Sequence, residues 1–206
     1  MIRVVTIAGE YGSGGTEIAE RAGRLGWRVL DRQIIEEISK TAGVDPAIAA
    51  GCDERIDSVI HRLVRSVWHS GLEAGIAAPA GWSAFDSDRM AQLTRGVILH
   101  AARLGDCIIV GRGGQCLLQN EPTALHVLIY APYGHRLRWV KRRLSPEQDP
   151  VAVLAAKDHE RVSYVRRHFD SDYFDRHLYH LLVSACIGED SVAELIADAV
   201  RAGSKD

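Results

Sequence analysis

A chain that runs RVVTIA, then GEYGSGGT, then EIAERAGRLG leaves little freedom in how it folds there. The apolar run Val4 to Ala8 needs burial on both faces, and EIAERAGRLG spaces its apolar residues as a helix does. The segment between them, Gly9 to Thr16, must therefore turn a strand directly into a helix. Four of its eight residues are glycine. Without Cβ atoms, consecutive peptide N–H groups can turn to one side and form a concavity that attracts anions.

The rest of the chain repeats the alternation. VVTIA (4–8), WRVL (27–30), CIIVG (107–111), HVLIY (126–130) and LLVSA (181–185) read as strands buried on both faces, with helical patterns in the gaps. Such alternation predicts a parallel five-stranded sheet covered by helices, a three-layer α/β fold with ligands at the carboxyl ends of the strands. The 206 residues, 47% of them apolar, suffice for one domain, 1–206, with a sizeable core. Residues 33–104 read as an all-helical insert. Ile56, Ile60, Leu63, Val67 and Leu72 share a helical face, GIAAPAGWSAF breaks the pattern, and DSDRMAQLTRGVILHAARLG resumes it.

Charge and composition exclude several classes. A net charge of −2 argues against a general nucleic-acid binder, which needs a broad basic excess. No run approaches the roughly 18 apolar residues of a membrane span, and the opening apolar stretch is too short for a signal peptide, so a soluble cytoplasmic protein without membrane partners is expected. Cys52, Cys107, Cys116 and Cys186 are far apart and form no C-x-x-C pair, which suits reduced, mostly buried thiols.

The opening loop has the frame of a phosphate loop, G-x-x-x-x-G-K-[ST], with Gly15 where the lysine belongs. Gly12, Ser13, Gly14, Gly15 and Thr16 are the candidate phosphate ligands. Thr16 occupies the position whose hydroxyl holds Mg²⁺, and the helix it opens directs its positive end at the phosphates. The backbone half of the motif survives. The missing ammonium would have made a charge-assisted hydrogen bond worth roughly 1.5–3 kcal/mol, so another cation is expected in its place.

Candidate cations cluster elsewhere. YGHRLRWVKRRL (133–144) holds Arg136, Arg138, Lys141, Arg142 and Arg143 with no acid, and KDHERVSYVRRH (157–168) adds Lys157, Arg161, Arg166 and Arg167. Two basic helices there, over 133–168, are expected to form a lid that brings arginines to a transferring phosphoryl group. Lys157, Arg161 and Tyr164 fall on one helical face, with Asp158 placed to orient Arg161. Arg112, just beyond CIIVG, offers a fork for an acceptor phosphate. Asp31 closes the second strand ahead of DRQIIEEI, where it can cap a helix, and Arg32 beside it is a second candidate for the acceptor.

EYGSGGTEIAERAGRLGWRVLDRQII, IIVGRGGQCLL, ALHVLIYAPYGHRLRWV and KDHERVSYVRRHF, in this order and spacing, resemble the cytidylate kinase-like family of P-loop kinases over nearly the whole chain. The resemblance implies that the lysine-less loop is a family trait, that ATP and Mg²⁺ are the cofactors, and that the function is phosphoryl transfer to a nucleoside monophosphate, with CMP or dCMP leading by the family's name. It implies Arg136 and Arg161 as lid arginines, from the APxxxR and KDxxR patterns, and a role for Asp31 near the metal and acceptor. The chain departs from its relatives at Gly9, where they place arginine, and at Gly113, where cytidylate kinases place an acid that grips the substrate. It also has Tyr179-His180-Leu181 and Ser184 where relatives read Y-D-L and asparagine. Two further readings remain open: a P-loop kinase acting on a small metabolite or antibiotic hydroxyl, and a nucleotide-binding module that transfers nothing. Trp68 reads as core packing by default; with Trp82 it would otherwise line a base pocket or a homodimer face.

Overall fold

The computed structural model describes residues 1–31 and 87–203. Cys52, Arg32, Trp68, Trp82 and the insert up to residue 86 lie outside them, as does the helix that Asp31 would cap. The chain divides into two compact units, Met1–Asp31 with Asp106–Asp206, and Arg32–Gly105.

The first unit is built on a parallel sheet of five strands: β1 (Val4–Gly9), β2 (Arg28–Leu30), β3 (Cys107–Val110), β4 (Ala124–Tyr130) and β5 (Leu181–Ser184), in the order β2-β3-β1-β4-β5. All five expected strands are present. β1 lies at the centre, and all six of its residues are buried. Its register runs Val4↔Cys107 to Ile7↔Val110 against β3, and Val4↔Ala124 to Gly9↔Ile129 against β4. β1 therefore outruns its pairing with β3 by two residues.

Helices cover both faces. On one, α1 (Gly15–Ala22) and α6 (Glu189–Ala202) bury Ile18, Ala19, Val192 and Ile196 against Val5, Ile7, Val127 and Ile129. On the other, α3 (Gly114–Leu117) and α5 (Pro150–Phe169) meet residues of opposite parity, and Ala8 and Leu128 pack with Val165, Tyr173, Leu178 and Tyr179. Each burial transfers apolar surface out of water at roughly 25 cal/mol per Å². α4 (Tyr133–Lys141) follows β4 directly. α5 starts at a sequence stop sign: the Asp149 side chain accepts from the Val151 N–H at 2.9 Å, with Pro150 in the first turn. The second unit contributes α2 (Ser87–Leu104), whose buried residues Ala91, Thr94, Val97, Ile98 and Ala101 recur at helical spacing.

The second face holds a buried histidine. His126 of β4, 2% exposed, accepts from the Thr6 hydroxyl at Nδ1 (2.8 Å), while its Nε2–H donates to the Leu118 carbonyl (3.1 Å). Its ring stacks on His180 with centroids 5.0 Å apart. Burial pushes its pKa down from 6.5 to about 4, so the imidazole is neutral. The described cysteines form no disulfide, and burial varies: Cys107 is buried and pushed up to about 11, Cys116 is half-buried, and Cys186 is exposed, against the expectation of mostly buried cysteines.

Candidate functional site

The loop Glu10–Gly14 leaves β1 at the carboxyl edge of the sheet and enters α1. Gly12 (φ 81°) and Gly14 (φ 79°) are left-handed, which turns the peptides between them. Glycine is required at Gly12, because a Cβ there would stand 2.9 Å from the Arg136 carbonyl oxygen. The first-turn N–H groups of α1, from Gly15 on, have no carbonyl of their own helix to bond. Ser13 is 3% exposed, and its hydroxyl has no partner among the described residues. A buried, orphaned hydroxyl beside unpaired peptide donors is the donor set an anionic phosphate satisfies. Thr16 sits in the first turn of α1, beside that cradle. An Mg²⁺ ion held mainly by phosphates needs only one or two protein oxygens, and the Thr16 hydroxyl is an oxygen of the right kind. No cluster of three or more His, Cys, Asp or Glu able to hold a metal occurs among the described residues.

Four of the N–H groups in this stretch are bonded within the protein, Gly9 to Tyr173, Glu10 to Ile129, Tyr11 to Asp158 and Ser13 to Glu10, and two of its carbonyls are held by arginines. Arg136, only 9% exposed, donates from Nε to the Ala131 carbonyl (3.2 Å) and from Nη1 to the Tyr11 carbonyl (3.3 Å). The same Nη1 meets Asp158 Oδ2 at 2.5 Å, and Nε lies 3.4 Å from Glu10 Oε2. Those acids bind the loop in turn: Asp158 accepts from the Tyr11 N–H (2.8 Å), and Glu10 accepts from the Ala131 N–H (3.0 Å). Arg161 Nη1 donates to the Gly9 carbonyl, with its guanidinium 5.5 Å from the Tyr11 ring centroid. Gly9 is also bonded by Tyr173, whose hydroxyl accepts from its N–H and donates to its carbonyl, both at 2.8 Å, so that one oxygen ties the peptide groups on either side of the Gly9 Cα.

Several sequence expectations take a definite form. Arg136 and Arg161 both reach the phosphate loop. Asp158 does not orient Arg161 as their spacing suggests. Its carboxylate turns to Arg136 and to Tyr11, because α4 and the loop lie on that side of α5. Lys157 is engaged along its own helix, with Nζ 3.0 and 2.9 Å from the Glu160 oxygens. Arg112 stands at the carboxyl edge beyond β3 with φ 59°, between Gly111 (φ 74°) and Gly113 (φ 68°), its guanidinium 5.6 Å from the Tyr164 ring centroid. Three left-handed residues in a row make the turn into α3. Ser184 ends β5, and its hydroxyl accepts from the Cys186 N–H (3.3 Å).

Two of the departures from the family pattern have a steric side. A Cβ at Gly113, where φ is 68°, would lie 2.2 Å from Phe169 Cε2, so an acid there requires the Phe169 ring to move. A Cβ at Gly9 would lie 3.0 Å from both the Ile129 carbonyl oxygen and Ser13 Oγ. Glu10, Asp158 as the partner of Arg136, and Tyr173 were not among the candidates. Glu10 lay inside the quoted motif, whereas Tyr173 in DSDYFD follows no periodicity that would single it out.

The model of the cytidylate kinase-like family matches residues 4–185. The chain belongs to that family. The match runs from the first residue of β1 past the end of β5 and takes in the phosphate loop, Arg112, Arg136 and Arg161. No curated protein matches the sequence. Among solved structures, an uncharacterized protein from Eubacterium ventriosum matches with a TM-score of 0.68 at 15% identity, covering 98% of this chain and 99% of that one. A shikimate kinase from Acinetobacter baumannii in complex with shikimate matches with a TM-score of 0.52 at 14% identity, over 100% and 97%. The tunicamycin resistance protein of Deinococcus radiodurans matches with a TM-score of 0.51 at 17% identity, over 97% and 96%. At these identities the likeness is one of fold: the α/β architecture of P-loop kinases. Family and fold together support a phosphotransferase.

Proposed function

We propose that this chain transfers the γ-phosphoryl group of ATP, with Mg²⁺ bound, to a nucleoside monophosphate, with CMP or dCMP the first acceptors to try. What supports the reading is the loop from Gly9 to Thr16, where the first-turn N–H groups of α1 and the orphaned Ser13 hydroxyl are available to an anion and Arg136 and Arg161 are bonded to the Tyr11 and Gly9 carbonyls. Such a cradle orients phosphates through backbone dipoles and places guanidinium charge next to them, which is most of what phosphoryl transfer asks of a protein. Mg²⁺, when bound, would neutralise charge on the transferring group. In this reading Gly12–Thr16 bind the nucleotide phosphates, Thr16 holds the metal, Asp31 orients the acceptor, Arg112, Arg32 and Lys157 serve the acceptor phosphate, and the 133–168 segment acts as lid. Arg161 stands nearest to the role of the absent lysine.

The contact of Gly113 with Phe169 favours a second acceptor class. With an aromatic ring where cytidylate kinases place an acid, a small metabolite hydroxyl fits the fold as well as a pyrimidine nucleotide. A screen of ADP release over nucleoside monophosphates, shikimate and other small alcohols separates the two, with phosphorus NMR identifying the product. Turnover of CMP or dCMP is the expected result. Turnover of an alcohol alone moves the protein to the second class, and nucleotide binding without turnover of any acceptor overturns both.

A further inference from the structure

The way β1 ends points to a residue that neither the motifs nor the basic clusters reveal. In a parallel sheet, alternate residues of a central strand present N–H and C=O to opposite neighbours. Ile7 faces β3, and its carbonyl accepts from the Gly111 N–H at 2.9 Å, the last backbone bond on that side. Glu10 faces β4, its N–H donating to the Ile129 carbonyl at 3.1 Å. Gly9 has the parity of Ile7 and faces β3, but the chain has already turned away through the left-handed run Gly111-Arg112-Gly113. The Gly9 N–H would be left stranded in the interior, and its carbonyl would depend on Arg161 alone. Tyr173 takes them, one hydroxyl oxygen serving N–H and C=O at 2.8 Å each.

Tyr173 is itself fixed. It is 6% exposed, and its carbonyl accepts from the Tyr179 hydroxyl at 2.6 Å. The Tyr179 oxygen accepts in turn from Nε2 of Gln115 on α3 (3.3 Å), a side chain 1% exposed. A buried relay thus runs from the turn after β3, through two tyrosines, to the first peptide of the phosphate loop. The Gly9 carbonyl is also the acceptor of Arg161. Because Tyr173 keeps a bond to that carbonyl, Arg161 can leave it for a phosphate oxygen without abandoning a buried acceptor.

We propose that Tyr173 is a positioning residue for phosphoryl transfer. Its hydroxyl stands in for the missing strand neighbour, pins the two peptide groups on either side of the Gly9 Cα, and so fixes where the loop leaves β1, while keeping the Gly9 carbonyl bonded when Arg161 exchanges onto the nucleotide. The proposal rests on the phosphate-loop reading given above.

The test compares Tyr173→Phe with Leu178→Ala, which truncates a buried neighbour in the same cluster that has no bond to the loop. Mg·ADP affinity is read by calorimetry well below each variant's melting temperature, with kcat and KM for ATP on the best acceptor. Tyr173→Phe should bind Mg·ADP about tenfold more weakly and lose about tenfold in kcat/KM for ATP, the worth of about one net hydrogen bond, with acceptor KM unchanged. Leu178→Ala should lower the melting temperature and leave Mg·ADP affinity within twofold of wild type. Should Tyr173→Phe fail to fold, Tyr179→Phe, which frees the Tyr173 carbonyl, should weaken Mg·ADP in the same sense. Wild-type affinity in the folded Tyr173 variant, or in the Tyr179 variant if the first is lost, overturns the positioning role while the kinase reading stands. A wild-type protein that does not bind Mg·ADP overturns that reading and the role with it.

Discussion

Gly12 and Gly15 stand three residues apart in the same loop, and alanine at the two should act in opposite directions. Gly12 has φ 81°, and a Cβ there would lie 2.9 Å from the carbonyl oxygen and 3.2 Å from the Cα of Arg136. Both are backbone atoms of α4, so neither can swing aside. The left-handed conformation costs a Cβ-bearing residue about 1–2 kcal/mol, and pushing α4 away adds an overpacking cost of about 1–3 kcal/mol. Gly12→Ala should therefore destabilise by about 2–5 kcal/mol. Gly15 opens α1, outside the left-handed region, and a Cβ there meets only Ile7 Cγ2, at 3.8 Å. Gly15→Ala should be neutral to stabilising by up to about 1 kcal/mol, chiefly by restricting the unfolded chain. Urea unfolding with matched m-values measures both. In a domain of this size each kcal/mol moves the melting temperature by about 2–4 °C, so the two variants should melt at least about 4 °C apart. Gly15→Lys carries the comparison into function, because its side chain starts in open space: it should fold like the alanine variant and bind Mg·ATP at least tenfold more tightly, as a charge-assisted hydrogen bond of about 1.5–3 kcal/mol allows. Equal destabilisation by the two alanines would refute the assignment of loop geometry and, with it, the reading of Gly15 as an open position.

Arg161→Ala should lower kcat about tenfold to a hundredfold, corresponding to about 1.4–3 kcal/mol in the transition state, whereas Arg112→Ala should raise acceptor KM; unchanged kinetics in both would leave the loop working on backbone donors alone. Arg136→Met, which strands the carboxylates of Asp158 and Glu10, should destabilise by about 3 kcal/mol or more, and Arg136→Lys should not restore stability, since one ammonium cannot serve Ala131, Tyr11 and Asp158 together; equilibrium unfolding decides both. His126, held at about 4 when folded against 6.5 ordinarily, resists a proton that the unfolded chain accepts. Its contribution is therefore complete above pH 6.5 and lost on acidification towards pH 4, at up to about 1.4 kcal/mol per pH unit, a slope that His126→Gln should remove from pH-dependent unfolding curves. Gly113→Asp should destabilise through both its φ of 68° and the Phe169 ring, and Phe169→Ala in the same chain should recover part of the loss; a neutral single variant would contradict the steric account of the missing acid.

Much of this fold could be read from alternating apolar runs. The five strands are short and mostly apolar, and where both faces are buried, as along β1 and most of β4, no polar alternation obscures the signal. β2 and β5 are only half-buried, with Leu182 47% exposed, so the expected burial on both faces fails there. The phosphate loop was equally legible, because its glycines state where the backbone must be left-handed. What holds that loop was legible only in part. Arg136 and Arg161 stood out as cations in an acid-free or patterned segment, but their partners are chosen by tertiary packing. Spacing along a helix pairs Asp158 with Arg161, whereas the approach of α4 gives Asp158 to Arg136. Tyr173 shows the limit most plainly. Its role depends on where β3 stops relative to β1, and no local pattern around DSDYFD carries that information.

The bonds that shape the loop all come from late in the chain. Glu10 is tied to a residue 121 positions on, Tyr11 to residues 125 and 147 positions on, and Gly9 to residues 152 and 164 positions on. Contacts of such high order form only after the loop-closure entropy of nearly the whole chain has been overcome. During synthesis the glycine-rich segment emerges among the first residues, yet it cannot acquire its shape until β4, α5 and the Tyr173 segment have docked. The shape of the motif at the front of the sequence is thus expected to be a late event in folding, and a chain that stops short of Tyr173 carries the whole motif without the bonds to Gly9 described above.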